Sequence, residues 1–439
     1  MNIAQVGSPF SHAPISRRNW LKAFSAAALG TVLSRGASAQ EDNGITKVIK
    51  EIREIPGSKK YPIILILLQG GLSHIDSFDP KPNSRDEDIR GPFKSIETSV
   101  SGIYVTDKLE KMAGRLDKVA LYRNVTHNQD QGFHTDAASL ILTGSRELIS
   151  RGSVLTDPPK YDSFPIQLAR HMKTPHPGYI LLHSSNNDTG FPRPFGALQS
   201  HHIETFFSEA SDGNNEYSIP SDGYFDPVRY LSRRNLLSSL TRDLQTPATD
   251  NYDMRIAKAE SILKGNIGKA FDLSSEPSEV REAYGRTTVG NAALTARKLV
   301  EAGAPFILIN VSGFDHHTNI EKDLGKRLPP VDLGVCTLLE DIRTKNLECY
   351  VIVTSEFGRA PKMTEFGGRD HWPRSNFMLV SGPGIKTGVF GGTNERGLIV
   401  GNDGEIDASK LGPTIVELSG HEALGIDQKP LPTFTRTLM

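Results

Sequence analysis

Residues 349–373 read CYVIVTSEFGRAPKMTEFGGRDHWP, an apolar run that ends abruptly in Glu, Arg, Asp and His. The β-branched segment 350–354 has the length and character of a strand buried on both faces, and such strands belong to parallel sheets covered by helices. In open α/β sheets, ligands sit outside the carboxyl ends of the strands. Glu356 and, within one turn, Arg359 therefore leave the sheet on the side where chemistry is normally done. Fifteen positions after Glu356, beyond the Gly367-Gly368 pair, His371 stands between Asp370 and Trp372-Pro373. That loop is able to fold back over the strand end.

Working outward, runs of the same kind recur. Residues 61–68 (YPIILILL) end in the tight turn Gln69-Gly70-Gly71, and the following GLSHIDSFDPKP packs Ser73, His74, Asp76 and Asp79 just past the strand end. Residues 119–122 predict a second strand leading to His127, Asp130, His134 and Asp136, and residues 179–183 a third. Residues 305–311 (PFILINV) predict a fourth, which delivers Asp315, His316 and His317; residues 377–380 add another. Helical patterns cover 287–302 and 331–346, where Val335, Leu338, Leu339 and Ile342 recur at one-face spacing. Strands alternating with helices of this length imply an α/β fold: a large, mostly parallel central sheet covered by helices on both faces. The polar stretch from about 186 to 278 reads as an inserted helical cap, with amphipathic patterns at 230–244 and 252–264.

The chain has 439 residues, 37% of them hydrophobic, enough for a large core, and a formal charge of -1. Residues 1–40 hold Arg17, Arg18, Lys22 and Arg35 and no acid, so the rest carries 46 Lys plus Arg against 51 Asp plus Glu. A mildly acidic body offers no electrostatic case for nucleic acid or for an anionic membrane surface. The first segment combines a twin-arginine pattern (SRRNWLK, 16–22), a modest apolar stretch and a small-residue site at Ala37-Ser38-Ala39. Cleavage after Ala39 predicts export of a folded protein by the twin-arginine translocation machinery to the periplasm or beyond. Residues 40–60 read as a charged linker, and 61–430 as one domain. No later run reaches the ~18 apolar residues needed to span a bilayer. Cys336 and Cys349 read as buried free thiols, too few for a disulfide framework.

Carboxylates and imidazoles therefore gather at four separate strand ends. Lewis-basic side chains held on rigid elements suit a divalent metal such as zinc, manganese or calcium.

The runs GGLSHIDSFDPKP, RGPFKSI, LTG at 142–144, YGRTTVGNAALTARKLVEAG, GFDHHTN, VTSEFGRAPK and GGRDHWPR together resemble the exported family labelled domain of unknown function 1501. That family lies in the alkaline phosphatase-like superfamily with sulfatases and phosphatases, and the resemblance covers most of residues 61–420. It implies metals at the carboxyl edge of the sheet. Superfamily members hold one metal with an Asp, a His shortly after it and a later His, and Asp315, His317 and His371 match that order. Their Asp-His pair at the end of the central strand corresponds to Glu356-Phe357, so the carboxylate is kept and the imidazole lost. Gln69-Gly70 stands where the first strand normally ends in Asp. The resemblance places His134 at the nucleophile position, with Thr135 the nearest hydroxyl.

The reading that follows is an exported metal-dependent hydrolase of phosphate or sulfate esters, acting on a small-molecule or carbohydrate ester. Asp315, His317, Glu356 and His371 are the expected metal ligands. A metal-bound water or His134 is the expected nucleophile, Arg359 the clamp on the anionic group, and Ser73 and Thr135 the substrate contacts. The alternative is a non-catalytic metal-containing binding protein on the same fold.

Overall fold

The computed structural model describes residues 51–54, 57–127, 132–144, 162–183, 205–210, 216–217, isolated positions between 232 and 239, 247–399 and 405–424. The leader, Asp130 and most of the stretch expected to form a cap lie outside them.

The 61–68 run becomes β1 (Ile63–Leu68), and all six of its residues are buried. Ile64, Ile66 and Leu68 enter one apolar core, while Ile63, Leu65 and Leu67 enter a second on the opposite face. Two covered faces are why this strand is continuously apolar rather than alternating. β2 (Ala120–Thr126), β3 (Tyr179–His183), β4 (Thr205–Glu209), β5 (Phe306–Val311), β6 (Tyr350–Thr354), β7 (Asn376–Ser381), β8 (Gly388–Phe390) and β9 (Ile406–Asp407) complete the sheet. Among the described residues it has nine strands in the order β8-β2-β7-β6-β1-β5-β3-β4, with β9 also paired to β2. Every pairing is parallel except those of β7, which runs antiparallel to β2 and β6. A parallel return to the sheet needs a crossover of a dozen or more residues, usually helical. The segment between β6 and β7 forms no helix and stays at one edge, so β7 comes straight back.

One core is lined by α4 (Thr288–Glu301) and α5 (Ile320–Thr344), the other by α1 (His134–Thr143), α2 (Phe164–Met172) and α6 (Leu411–Leu418). The Thr287 side chain caps α4 by accepting from Gly290 N at 3.0 Å. α5 begins eleven residues before the expected start at 331 and runs through Pro329 and Pro330. Ile320, Leu324 and Leu328 are at most 1% exposed. Their burial outweighs the cost of about 3 kcal/mol that an interior proline imposes.

Two boundaries differ from expectation. Inside the expected linker, Glu51–Glu54 pairs antiparallel with His421–Leu424 and joins the two ends of the described chain. Within the expected helical cap, α3 (Pro247–Lys264) is helical, but β4 joins the central sheet beside β3. The capping stretch therefore also extends the core. Both cysteines are free and buried; burial pushes the Cys349 thiol up to about 12. No helix among the described residues is long and apolar enough to cross a membrane.

Candidate metal centre

The carboxyl ends of β1, β2, β5 and β6 share one edge, and the loops leaving them meet there. Gly70, with φ +117°, lets the turn after β1 press against the turn after β5: a Cβ there would lie 2.4 Å from Asp315 N. The loop after β6 folds into a hairpin in which Gly358–Arg359 pairs antiparallel with His371–Trp372. Its tip closes on the β5 loop through Gly368, where an added Cβ would meet the His317 carbonyl carbon at 2.0 Å. This hairpin carries His371 back over the strand ends, and the helix after β2 brings His134.

Four donor atoms converge. His371 Nε2 lies 3.0 Å from His134 Nε2, 3.0 Å from His317 Nε2 and 3.1 Å from Asp315 Oδ1. Asp315 Oδ1 is also 3.0 Å from His317 Nε2 and 3.5 Å from His134 Nε2. The opposite nitrogen of each ring faces an oxygen. His134 Nδ1 is 2.6 Å from Glu356 Oε1, His317 Nδ1 is 3.0 Å from Asp370 Oδ1, and His371 Nδ1 is 2.6 Å from the Gly132 carbonyl. With each Nδ1 as the donor, the tautomer a bound cation would select, the Nε2 lone pairs turn toward Asp315 Oδ1; with a proton on Nε2 instead, His134 and His371 donate to that oxygen. Two lone pairs facing each other at 3.0 Å repel unless a proton or a cation lies between them. Atoms bonded at ~2.05 Å to one tetrahedral zinc lie about 3.3 Å apart, and the donor atoms of His134, Asp315 and His371 are spaced 3.0, 3.1 and 3.5 Å. A carboxylate or carbonyl behind each imidazole is the usual support of a metal-bound histidine. Among the described residues the group that could hold a divalent cation is His134, Asp315 and His371, with His317 against two of the three.

Charge distribution agrees. Burial works to raise the Asp315 carboxyl, but bonds from His134 and His371 and the charge of Arg359 hold it far below the usual carboxylate range. Glu356 is fully buried; His134 and the amide of Gly70, 2.7 Å from its Oε1, keep it ionised against that burial. Burial disfavours charge on His134, yet its bonds to Asp315 and Glu356 prevail and raise its pKa. The same two carboxylates balance a cation placed among the imidazoles.

The expected site residues fall into three groups. Asp315, His317 and His371 meet as read from the sequence, and His134 meets them with its imidazole among the donors. Glu356 stands one layer back, on the far nitrogen of His134. Arg359 is buried, and its five N–H groups are taken up internally: Nε by Gly71 O at 2.9 Å, Nη1 by Arg369 O at 2.8 Å and His317 Nε2 at 3.4 Å, Nη2 by Gly70 O and Asp315 Oδ1. It braces Asp315, and four of its five N–H groups stay on protein oxygens; the fifth, toward His317 Nε2, is the one a cation on that nitrogen would release. Ser73 is buried away from the cluster, donating to Asp76 Oδ2 at 2.5 Å, and Asp76 also pairs with Arg369. The side chain of Thr135 lies outside the described residues. His127 and His316, also candidates by position, are turned inward: His127 Nε2 bonds the Glu356 carbonyl, and burial lowers His316 to about 4. Asp370, which holds His317, and the Gly132 carbonyl were not anticipated. Asp370 adjoins His371 in sequence, the only local signal for it, and a backbone carbonyl carries none.

Similar solved structures include a protein in the alkaline phosphatase superfamily from Vibrio parahaemolyticus, 10% identical with a TM-score of 0.44, covering 93% of this chain and 79% of that one. The C-terminal periplasmic domain of EcEptC from Escherichia coli is 10% identical with a TM-score of 0.42, covering 86% of each chain. The PsFucS1 sulfatase from Pseudoalteromonas sp. is 14% identical with a TM-score of 0.37, covering 82% of this chain and 68% of that one. No curated protein matches the chain. A family model matches residues 60–423, and with most of its length so matched the chain belongs to the family described as Protein of unknown function (DUF1501).

Proposed function

We propose that this chain is an exported, metal-dependent hydrolase of phosphate or sulfate esters. The observation that carries the reading is the convergence of three imidazole Nε2 atoms on Asp315 Oδ1, each imidazole supported from behind by an oxygen. His134, His317, His371 and Asp315 would hold the cation. Glu356 and Asp370 orient two of the rings, and Arg359 orients Asp315. A divalent cation at such a site polarises an ester oxygen and acidifies water. Asp315, Glu356 and Asp370 carry three negative charges around the imidazoles and Arg359 one positive, so a divalent cation would neutralise the cluster and present its own open coordination positions to an anionic ester oxygen. Both nitrogens of His134 are engaged, which leaves water as the attacking group.

One observation favours a second reading, a non-catalytic metal-containing binding protein. Four of the five N–H groups of Arg359 are held by protein oxygens, so the buried guanidinium nearest the cluster offers a substrate one donor at most. Aryl phosphate, phosphodiester and aryl sulfate substrates, assayed with zinc, manganese and calcium, separate the two. Metal-dependent turnover that disappears in His371→Ala supports the hydrolase. Stoichiometric metal with no turnover of any ester supports the binding protein and overturns the first reading.

A further inference from the structure

Beside the metal centre, on the same sheet edge, lies a second polar group with no partner for two of its buried atoms. Asn310, near the end of β5, donates from Nδ2 to Gln69 Oε1 at 2.8 Å and to His183 Nδ1 at 3.0 Å. Gln69 and Asn310 are 2% and 4% exposed, yet Gln69 Nε2 and Asn310 Oδ1 have no hydrogen-bond partner. Exchanging the oxygen and nitrogen ends of both amides again leaves one donor and one acceptor, so the imbalance does not depend on that assignment. A buried unsatisfied polar atom costs about 1 to 3 kcal/mol, and two adjacent ones call for an occupant.

The position relates this group to the reaction centre. Leu67, Asn310 and His183 stand in register across three parallel strands, and the half-buried His183 carries the row toward solvent. Gln69 precedes Gly70, whose amide holds Glu356, and its carbonyl accepts from Phe314 N at 3.0 Å, one residue before Asp315. A free donor beside a free acceptor, neither of them charged, matches a hydroxyl group, which both accepts and donates. Neutral amides do not attract a second cation and do not single out an anion.

We propose that Gln69 and Asn310, bordered by His183, form a subsite for a free hydroxyl on the alcohol portion of the ester. The preferred substrates are then phosphate or sulfate esters of polyols and sugars, rather than of plain alkyl or aryl alcohols. This inference rests on the hydrolase reading above, and binding of uncleavable analogues tests it apart from turnover. Zinc-loaded protein is titrated calorimetrically with 2,3-dihydroxypropylphosphonate and with propylphosphonate, which differ only in the hydroxyls. The dihydroxy compound should bind roughly tenfold more tightly, the value of one well-placed hydrogen bond of about 1.4 kcal/mol. Gln69→Met and Asn310→Leu should each abolish that preference while propylphosphonate affinity and zinc content stay within about twofold of wild type. Equal binding of the two compounds by wild type overturns the subsite and leaves the hydrolase reading standing. Binding of neither compound to zinc-loaded protein overturns both.

Discussion

His371 is the residue on which the metal centre turns, because its Nε2 touches two other imidazoles and the Asp315 carboxylate at once. His371→Ala should remove most of the bound metal while leaving the sheet folded, since His371 belongs to neither apolar core and only Met363 of its hairpin packs against one. Elemental analysis beside circular dichroism checks this; near-stoichiometric metal in the variant would end the shared-site model. Glu356→Gln acts differently. It keeps the shape and the acceptor toward His134 but loses the negative charge, so metal affinity should fall by the ~10 to 100-fold of an outer-layer change. A chelator competition titration reads that difference, and a loss as deep as that of His371→Ala would place Glu356 among the ligands instead. Asp315, His317 and His371 were legible because each follows an apolar run or a Gly-Gly turn. That His134, read as a nucleophile or a possible ligand, meets His371 was not legible, because it depends on where the helix after β2 lies relative to a hairpin more than two hundred residues later.

Elements show where local rules were followed and where packing overrode them. Pro329 and Pro330 predict a helix start just beyond them, but α5 passes through both because Leu324 and Leu328 are buried on the preceding turns. Pro329 is exposed, so Pro329→Ala should restore a backbone donor and raise stability by about 1 to 3 kcal/mol, read as a higher denaturation midpoint. An unchanged or lower midpoint would mean that the proline is needed for the course of α5. The loop after β1 carries an acid-sensitive group. His74 is 1% exposed, its Nε2 is 2.9 Å from the Gly397 carbonyl, and burial lowers its pKa from 6.5 to about 4. The unfolded chain takes up this proton first as pH falls. The stability contributed by neutral His74 is thus complete above about pH 6.5 and is lost as pH drops toward 4, by roughly 3 kcal/mol. His74→Gln keeps a donor for Gly397 and cannot titrate. Its urea midpoint should vary less between pH 7 and pH 4 than that of wild type; parallel pH profiles would refute the assignment.

For the whole molecule, the export expected from the sequence rests on the shortest stretch, Arg17, Arg18 and the Ala37-Ser38-Ala39 site. Arg17→Lys combined with Arg18→Lys should leave precursor in the cytoplasm, seen as an unprocessed band after fractionation. Unchanged mature protein outside the cytoplasm would refute it. The sequence by itself determined the α/β class, the approximate placement of most of the central strands and the gathering of acids and histidines past their ends. Continuous β-branched runs have no stable arrangement in water except between two covered faces, and chain direction then fixes which edge the polar residues leave from. Only the tertiary structure decided the antiparallel return of β7, the entry of β4 into the sheet and the pairing of 51–54 with 421–424. These depend on which edges remain open once the helices are packed. It also decided which polar groups face one another: that Arg359 is spent on backbone carbonyls and Asp315, that Glu356 stands behind His134, and that Gln69 and Asn310 share a buried corner. Contacts between segments hundreds of residues apart are set by the packing of the elements between them, and no local stretch of sequence encodes that.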